Sequence, residues 1–447
     1  MEEALNLARA QFGLNIGFHI LFPTLTIALA WFLVAFRIAY QRTRDPTWLA
    51  TYRLWVKIFA LTFAMGVVTG ITMSFQFGTN WPGYMNSVGA IAGPLLSYEV
   101  LTAFFLEATF LGVMLFGMNR VADWMHITAT FIVAFGTTVS AFWILALNSW
   151  MQTPTGQVLD GKQWIAADWM AVIFNPSFPY RFTHMLLASA LTASFVLAGL
   201  SAWRLLRQGS DNGAQRTLRA GLLTAAILVP VQVIVGDLHG LNTVEHQPAK
   251  IAAVEAIWHT ERGVPLVLFA IPNEELKRND YAIELPYGGS LILKHDPRAE
   301  LKGLNEFPQH APVAPVFFAF RAMVGVGVLM LVVAWWGTWL TRRDRVPPRW
   351  ALWMFSAFTF AGWVATLCGW IVTEVGRQPW LVTGILTTAQ AAGEVSGGEL
   401  GASITGYAIT YTVFFVAYLI VLTHLSGKGA ESMRPNPTPI GVAMTRT

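Results

Sequence analysis

The chain has 447 residues, 55% of them hydrophobic and only 12% charged, with a mean hydropathy of +0.51; globular domains carry about 25% charge, so too few charges remain here to cover a water-facing surface. The same figures exclude a disordered chain, and a net charge of +4 (29 minus 25), spread between apolar runs rather than on one basic face, excludes a nucleic-acid surface despite a pI near 9.2. The one cysteine, Cys368 inside an apolar run, excludes an intrachain disulfide, a thiolate zinc cluster and a C-x-x-C-H covalent haem attachment.

Crossing a hydrocarbon core of about 30 Å takes about 20 helical residues. Nine stretches qualify, at 15–40, 54–78, 94–118, 125–148, 182–205, 217–236, 315–340, 351–373 and 403–425, and they predict an all-α integral membrane protein with about nine transmembrane helices. The first is preceded by Glu2 and Glu3 instead of a basic segment and lacks a small-residue cleavage site, so it is expected to stay in the mature protein. Orientation follows from the basic residues of the short connections. Arg42, Arg44 and Arg53 follow span one, Arg120 follows span three, Arg204, Arg207, Arg216 and Arg219 follow span five, and Arg342, Arg343, Arg345 and Arg349 follow span seven. The connection from Trp81 to Gly93 has no Lys or Arg, and the one after span four sets Lys162 against Asp160 and Asp168. This alternation puts the N-terminus outside and the tail with Lys428, Arg434 and Arg446 in the cytoplasm.

The chain accordingly divides into a six-span region (1–236), an outer loop (237–312), a three-span region (313–427) and a cytoplasmic tail (428–447). The outer loop, about 75 residues long, holds five of the nine histidines; connections of that length generally bind something or are disordered. Glu394 to Gly401, rich in Gly and Glu, reads as a second outer loop, and no internal repeat suggests the inverted halves of a transporter.

Ionisable groups within spans are costly and mark function. Here they are His19, Glu99, Glu107, His184, Arg321 and Glu374, with Met323 as a soft companion. Counted along the helices, all but Glu107 fall in the outer third, with Glu99 about a turn into span three and Glu107 about 12 Å deeper. Taken singly, each has an ordinary reading: Met323 as packing, Glu374 with Arg377 as an ion pair, His126 and His424 as interfacial residues. Imidazole, thioether and carboxylate groups meeting at one depth argue otherwise, because haem iron accepts a His/Met pair or a lone His or Glu. A haem–copper centre needs several intramembrane histidines and only two are well placed, so copper is not expected.

Seven strings carry a resemblance: Gln11-Phe-Gly-Leu-Asn-Ile-Gly-Phe-His-Ile-Leu-Phe-Pro23, Phe75-Gln-Phe-Gly-Thr-Asn-Trp81, Glu99 with Phe104-Phe-Leu-Glu107, Asn148-Ser-Trp-Met-Gln-Thr-Pro154, Gln247-Pro-Ala-Lys-Ile-Ala-Ala-Val-Glu255, Phe320-Arg-Ala-Met323 and Gly369-Trp-Ile-Val-Thr-Glu-Val-Gly-Arg-Gln-Pro-Trp380. With them the chain resembles subunit I of cytochrome bd-type quinol oxidases from Arg9 to about Leu425. The resemblance implies haems bound between helices near the outer side of the bacterial cytoplasmic membrane. His184 and Met323 correspond to the axial pair of a low-spin haem b, with Arg321 nearby. His19 and Glu374 correspond to the ligands of a high-spin haem b and a haem d, with Glu99 close by. Arg377, Gln378 and Trp380 correspond to residues fixing haem propionates. Lys250 and Glu255 correspond to the quinol-oxidation residues of the outer Q loop, and Glu107 to a residue on the proton route from the cytoplasm, with Ser140 as a weaker member.

The implied reaction oxidises quinol outside and reduces O2 to water with protons from inside, building a proton-motive force without a pump. Implied partners are a bd-type subunit II, a small single-span subunit and membrane lipid. Residue 108 is Ala, where family members often have Ser. The Q loop is short, as in the cyanide-insensitive-type branch, for which a further haem b is the alternative to haem d. Two rival readings stand beside this one: a haem b cytochrome that exchanges electrons with quinone without reducing O2, and a haem-free transporter.

Overall fold

The computed structural model describes residues 2–342 and 345–427; Arg343 and the tail with Lys428, Arg434 and Arg446 lie outside the described residues. Helix α1 (Glu2–Thr43) turns at Arg44 into α2 (Pro46–Thr79), whose start is set by Asp45, accepting from the Thr47 amide, and by Pro46 in the first turn. Span three is composite: α3 (Pro82–Glu99), a π-helical turn (Val100–Phe104) and α4 (Phe105–Phe116). Helix α5 (Asp123–Gln152) leads to a hairpin of β1 (Gln157–Asp160) and β2 (Gln163–Ala166) and to the short α6 (Trp169–Ile173). Helices α7 (Phe178–Gln208) and α8 (Asn212–His246) follow, the latter capped by Asp211, which accepts from the Ala214 amide.

The Q loop is ordered. It comprises α9 (Pro248–Glu255), β3 (Glu261–Arg262), the antiparallel pair β4 (Leu266–Asn273) and β5 (Arg278–Leu285), α10 (Gly288–Lys294) and β6 (Glu300–Leu301), which pairs with β3. Then come α11 (Val313–Leu340), the broken span of α12 (Arg349–Ala357) and α13 (Ala361–Glu374), the hairpin of β7 (Trp380–Val382) and β8 (Leu386–Thr387), α14 (Thr388–Ala391) and α15 (Gly397–Gly427). Among the described residues nine such spans are long and apolar enough to cross a membrane.

One core joins α1, α2, α5, α7 and α15 around Phe22, Trp55, Phe59 and Tyr418, and a second joins α7, α8, α11 and α12. Close approach of α7 to the break between α12 and α13 rests on small residues, since a Cβ on Gly362 would collide with Thr192 and one on Gly199 with Thr359. A third core under the Q loop packs Ala252, Trp258 and Val264 on the first turns of α11.

Two readings change. The segment after Trp81 is helical from Pro82, not a connection, although its Gly and Pro content speaks against a helix. Tyr84, Val88, Ile91, Ala92 and Leu95 recur at helical spacing and bury against Trp150 and Val382, so tertiary packing outweighs propensity. Glu99 therefore lies 17 residues, about 25 Å, along span three. His126 is not interfacial but fully buried: Arg37 Nε donates to its Nδ1 at 3.3 Å, its Nε2 lies 3.2 Å from the Met114 carbonyl, and Tyr52 packs edge-on against its ring.

Candidate functional site

His19 Nδ1 lies 2.9 Å from Thr69 Oγ1, whose own proton is directed to the Met65 carbonyl at 2.8 Å. Thr69 therefore accepts from Nδ1–H, which leaves the lone pair on Nε2, the tautomer a metal-ligating histidine needs. The ring lies so close to Gly70 that a Cβ there would stand 3.1 Å from Cε1. His184 packs against Gly236, and its buried Nδ1 has no partner. Met323 is seated against α13, where a Cβ on Gly369 would come within 3.1 Å of Sδ. Each of these side chains thus has a cradle that larger residues would fill, and His184 keeps an orphaned polar atom. These observations fit side chains held for haem ligation.

Glu374 ends α13. Asn148 Nδ2 donates to its Oε1 at 2.9 Å and Arg377 pairs with its Oε2. Arg377 also donates to the Leu381 carbonyl, and Gln378 accepts from the Thr388 hydroxyl at 2.7 Å. Trp380 opens β7, its amide donating to the Arg377 carbonyl.

Helix α5 orders the carboxylates. Asn148 touches Glu374; Ser140, eight residues or about 12 Å along, donates to Glu99 Oε1 at 2.8 Å; Gly136, about 6 Å further, faces Glu107. Glu107 is buried and its Oε1 has no partner. The alignment of the two glutamates depends on the π turn between them. Eight residues of α-helix are about 2.2 turns and would set Glu107 about 80° round from Glu99. The π turn absorbs one extra residue, so the pair turns as if about seven residues apart, close to two full turns. Both carboxylates thereby face α5.

The structure separates Lys250 from Glu255. Five residues of helix turn through about 140°, so the two leave α9 on different sides. Lys250 Nζ donates to Gln152 Oε1 at 2.6 Å, Gln247 Oε1 at 3.0 Å and the Thr373 carbonyl at 3.2 Å. Burial, with the Arg181 charge beside it, pushes this ammonium well below the usual lysine range. Glu255 instead pairs with Arg321 at 2.8 Å, and the same guanidinium donates to the carbonyls of Val254 and Val267 and lies 3.6 Å over the Phe317 ring. Burial raises the Glu255 carboxyl above the ordinary range, with Arg321 opposing.

Arg181, Gln152 and Asn148 were not singled out from the sequence. Arg181 stands three residues before His184, so helical spacing alone points to it; Asn148, Gln152 and Gln247 lie within the quoted strings, and nothing in the sequence marks Gly136. Arg181 and Arg377, each more than nine-tenths buried, share the single carboxylate of Glu374, with Lys250 beside them, and the Nε atoms of both arginines are unpartnered. An excess of buried cation with free donors fits the carboxylates of haem propionates.

A family model described as cytochrome bd terminal oxidase subunit I matches residues 7–430. The chain is 31% identical over 505 aligned positions to cytochrome bd-II ubiquinol oxidase subunit 1 of Escherichia coli (strain K12), covering 97% of this chain and 98% of that one. It is 32% identical to cytochrome bd ubiquinol oxidase subunit 1 of Bacillus subtilis (strain 168), covering 98% and 96%. The fold is similar to that of the bd oxidase from Geobacillus thermodenitrificans, with a TM-score of 0.87, 31% identity and coverage of 95% and 98%. The chain belongs to the cytochrome bd terminal oxidase subunit I family.

Proposed function

We propose that this chain oxidises quinol at Glu255 and Arg321 on the outer side and delivers cytoplasmic protons through Glu107 and Glu99 to the site of O2 reduction. Family membership makes it a subunit of a quinol oxidase of the bacterial cytoplasmic membrane, which sets aside the transporter and the simple cytochrome. The single observation that carries the finer reading is the order of groups along α5, from Gln152 beside Lys250 through Asn148 and Ser140 to Gly136 beside Glu107.

At the outer end, Arg321 holds Glu255 by a charge-assisted bond and two backbone carbonyls hold Arg321, so the carboxylate is fixed before quinol arrives. A raised carboxyl is suited to take a proton from a quinol hydroxyl and give it up to the outer water. At the inner end, Glu107 takes protons from the cytoplasmic side, and Ser140 holds the Glu99 carboxylate toward which they pass. His184 and Met323 would hold a low-spin haem b, and His19 and Glu374 a high-spin haem b and a haem d or further haem b; Arg181, Lys250, Arg377, Gln378 and Trp380 would hold propionates. When bound, these haems supply electron transfer and O2 reduction, without copper. Proton release outside and uptake inside build a proton-motive force with no pump. Subunit II, with a small single-span subunit, completes the complex.

Glu107→Gln tests this division. O2 consumption is expected to fall while quinol still reduces the low-spin haem at the normal rate; wild-type turnover would remove Glu107 from the route.

A further inference from the structure

Much of the Q loop's surface is apolar where an ordinary extramembrane loop would be polar. Phe269 and Ile283 are cross-strand partners of the β4–β5 hairpin and so share a face; Leu285, two residues on, shares it too. They are 47%, 59% and 50% exposed. Two hydrogen-bonded anchors fix the height of this hairpin beside α11. At its tip, Glu274 accepts from the Val313 amide at the start of the helix, and at its base Val267 accepts from Arg321, eight residues or about 12 Å further along.

The depth of that stretch can be read from α11 itself. Trp335, Trp336 and Trp339 are exposed near its far end, where interfacial aromatic belts lie. From Trp336 back to Phe318 is 18 residues, about 27 Å, close to the thickness of a hydrocarbon core. Phe318 is thus at the outer hydrocarbon edge, and Phe269 lies against it with ring centroids 6.4 Å apart. The apolar surface continues on the other side through α10, where Leu291 is 50% exposed. That helix packs on α8, and His295 just after it lies 3.1 Å from Asp237 of α8.

We infer that the β4–β5 hairpin and α10 form a collar docked on the outer leaflet of the bilayer, with Phe269, Ile283, Leu285 and Leu291 among the acyl chains. The occupant is lipid because the patch adjoins two spanning helices that themselves expose apolar side chains, α11 through the Phe269–Phe318 contact, with Phe318 and Val324 exposed, and α8 through its packing with α10, with Ile234 and Leu238 exposed. Exposed Lys277 at the hairpin tip and Lys294 at the end of α10 place charges where headgroups would meet them. If the quinol reading above holds, a quinol dissolved in that leaflet reaches Glu255 and Arg321 behind the hairpin without crossing water; the docking itself does not depend on that reading.

The test uses the intact complex with its native cysteines replaced, carrying Ile283→Cys or Lys277→Cys labelled with an environment-sensitive fluorophore, in phosphatidylcholine/phosphatidylglycerol vesicles. The 283 label is expected to lose most of its emission to lipids spin-labelled on the upper acyl chain and almost none to aqueous iodide, whereas the 277 label, at headgroup height, is expected to be quenched strongly by iodide. Quenching of the 283 label by iodide, or by neither reagent, as when protein covers it, would overturn the inference. The readout needs no turnover, so failure of the quinol assignment leaves it unaffected.

Discussion

Gly136→Ala is a one-carbon perturbation aimed at the proposed proton route. The added Cβ would stand 2.8 Å from Glu107 Cγ and 3.6 Å from both Glu107 Oε1 and the Ala103 carbonyl. The first distance is shorter than real Cβ contacts, so the Glu107 stem must move. Overpacking of this kind costs about 1–3 kcal/mol. If the displacement falls on proton delivery, that cost lowers the rate between about fivefold and about 150-fold, at 1.36 kcal/mol per factor of ten. The assay is O2 consumption by the purified complex with excess quinol, alongside stopped-flow reduction of the low-spin haem and haem content. Slow O2 consumption with normal haem reduction and full haem content is expected. Gly112→Ala on α4, whose added Cβ meets nothing within 4 Å, is the matched control and should turn over normally. Wild-type O2 consumption by Gly136→Ala, or parallel loss of all three readouts, would refute the reasoning.

Three further outcomes are expected. Met323→Leu removes the thioether from its seat against Gly369 and should abolish the low-spin haem spectrum; an intact spectrum would sink that ligand assignment. Thr69→Val removes the acceptor of His19 Nδ1–H, and losses of about 10–100-fold in metal affinity are typical for such partners; occupancy of one high-spin haem should fall in difference spectra while the low-spin haem is retained. Arg321→Leu withdraws the cation that opposes the burial-raised carboxyl of Glu255. Its ionisation then moves to still higher pH, so the acid limb of the quinol-oxidation pH profile should shift upward; an unmoved limb would detach Glu255 from proton acceptance.

The spans were legible because each is a long apolar run, and the ligand candidates because ionisable residues are rare within such runs. What escaped was geometry set by packing. The first half of span three is Gly- and Pro-containing, and only its buried face holds it helical. Lys250 and Glu255 are neighbours in sequence, yet the pitch of α9 sends one to the glutamines of the bundle and the other to Arg321. The π turn that brings Glu99 and Glu107 onto one side has no composition cue, and Gly136 resembles any other helical glycine until Glu107 is placed against it. His126 lies close to a helix start and so read as interfacial, whereas Arg37 and Tyr52 bury it.

The central claim, that this chain carries the haems of a quinol-driven O2 reductase, is tested most directly by reduced-minus-oxidised and CO-difference spectra of the purified complex with pyridine haemochrome analysis. A low-spin b-type band together with a CO-reactive high-spin haem is expected, a chlorin-type band marking haem d and its absence marking a further haem b; a complex with no CO-reactive haem would contradict the account.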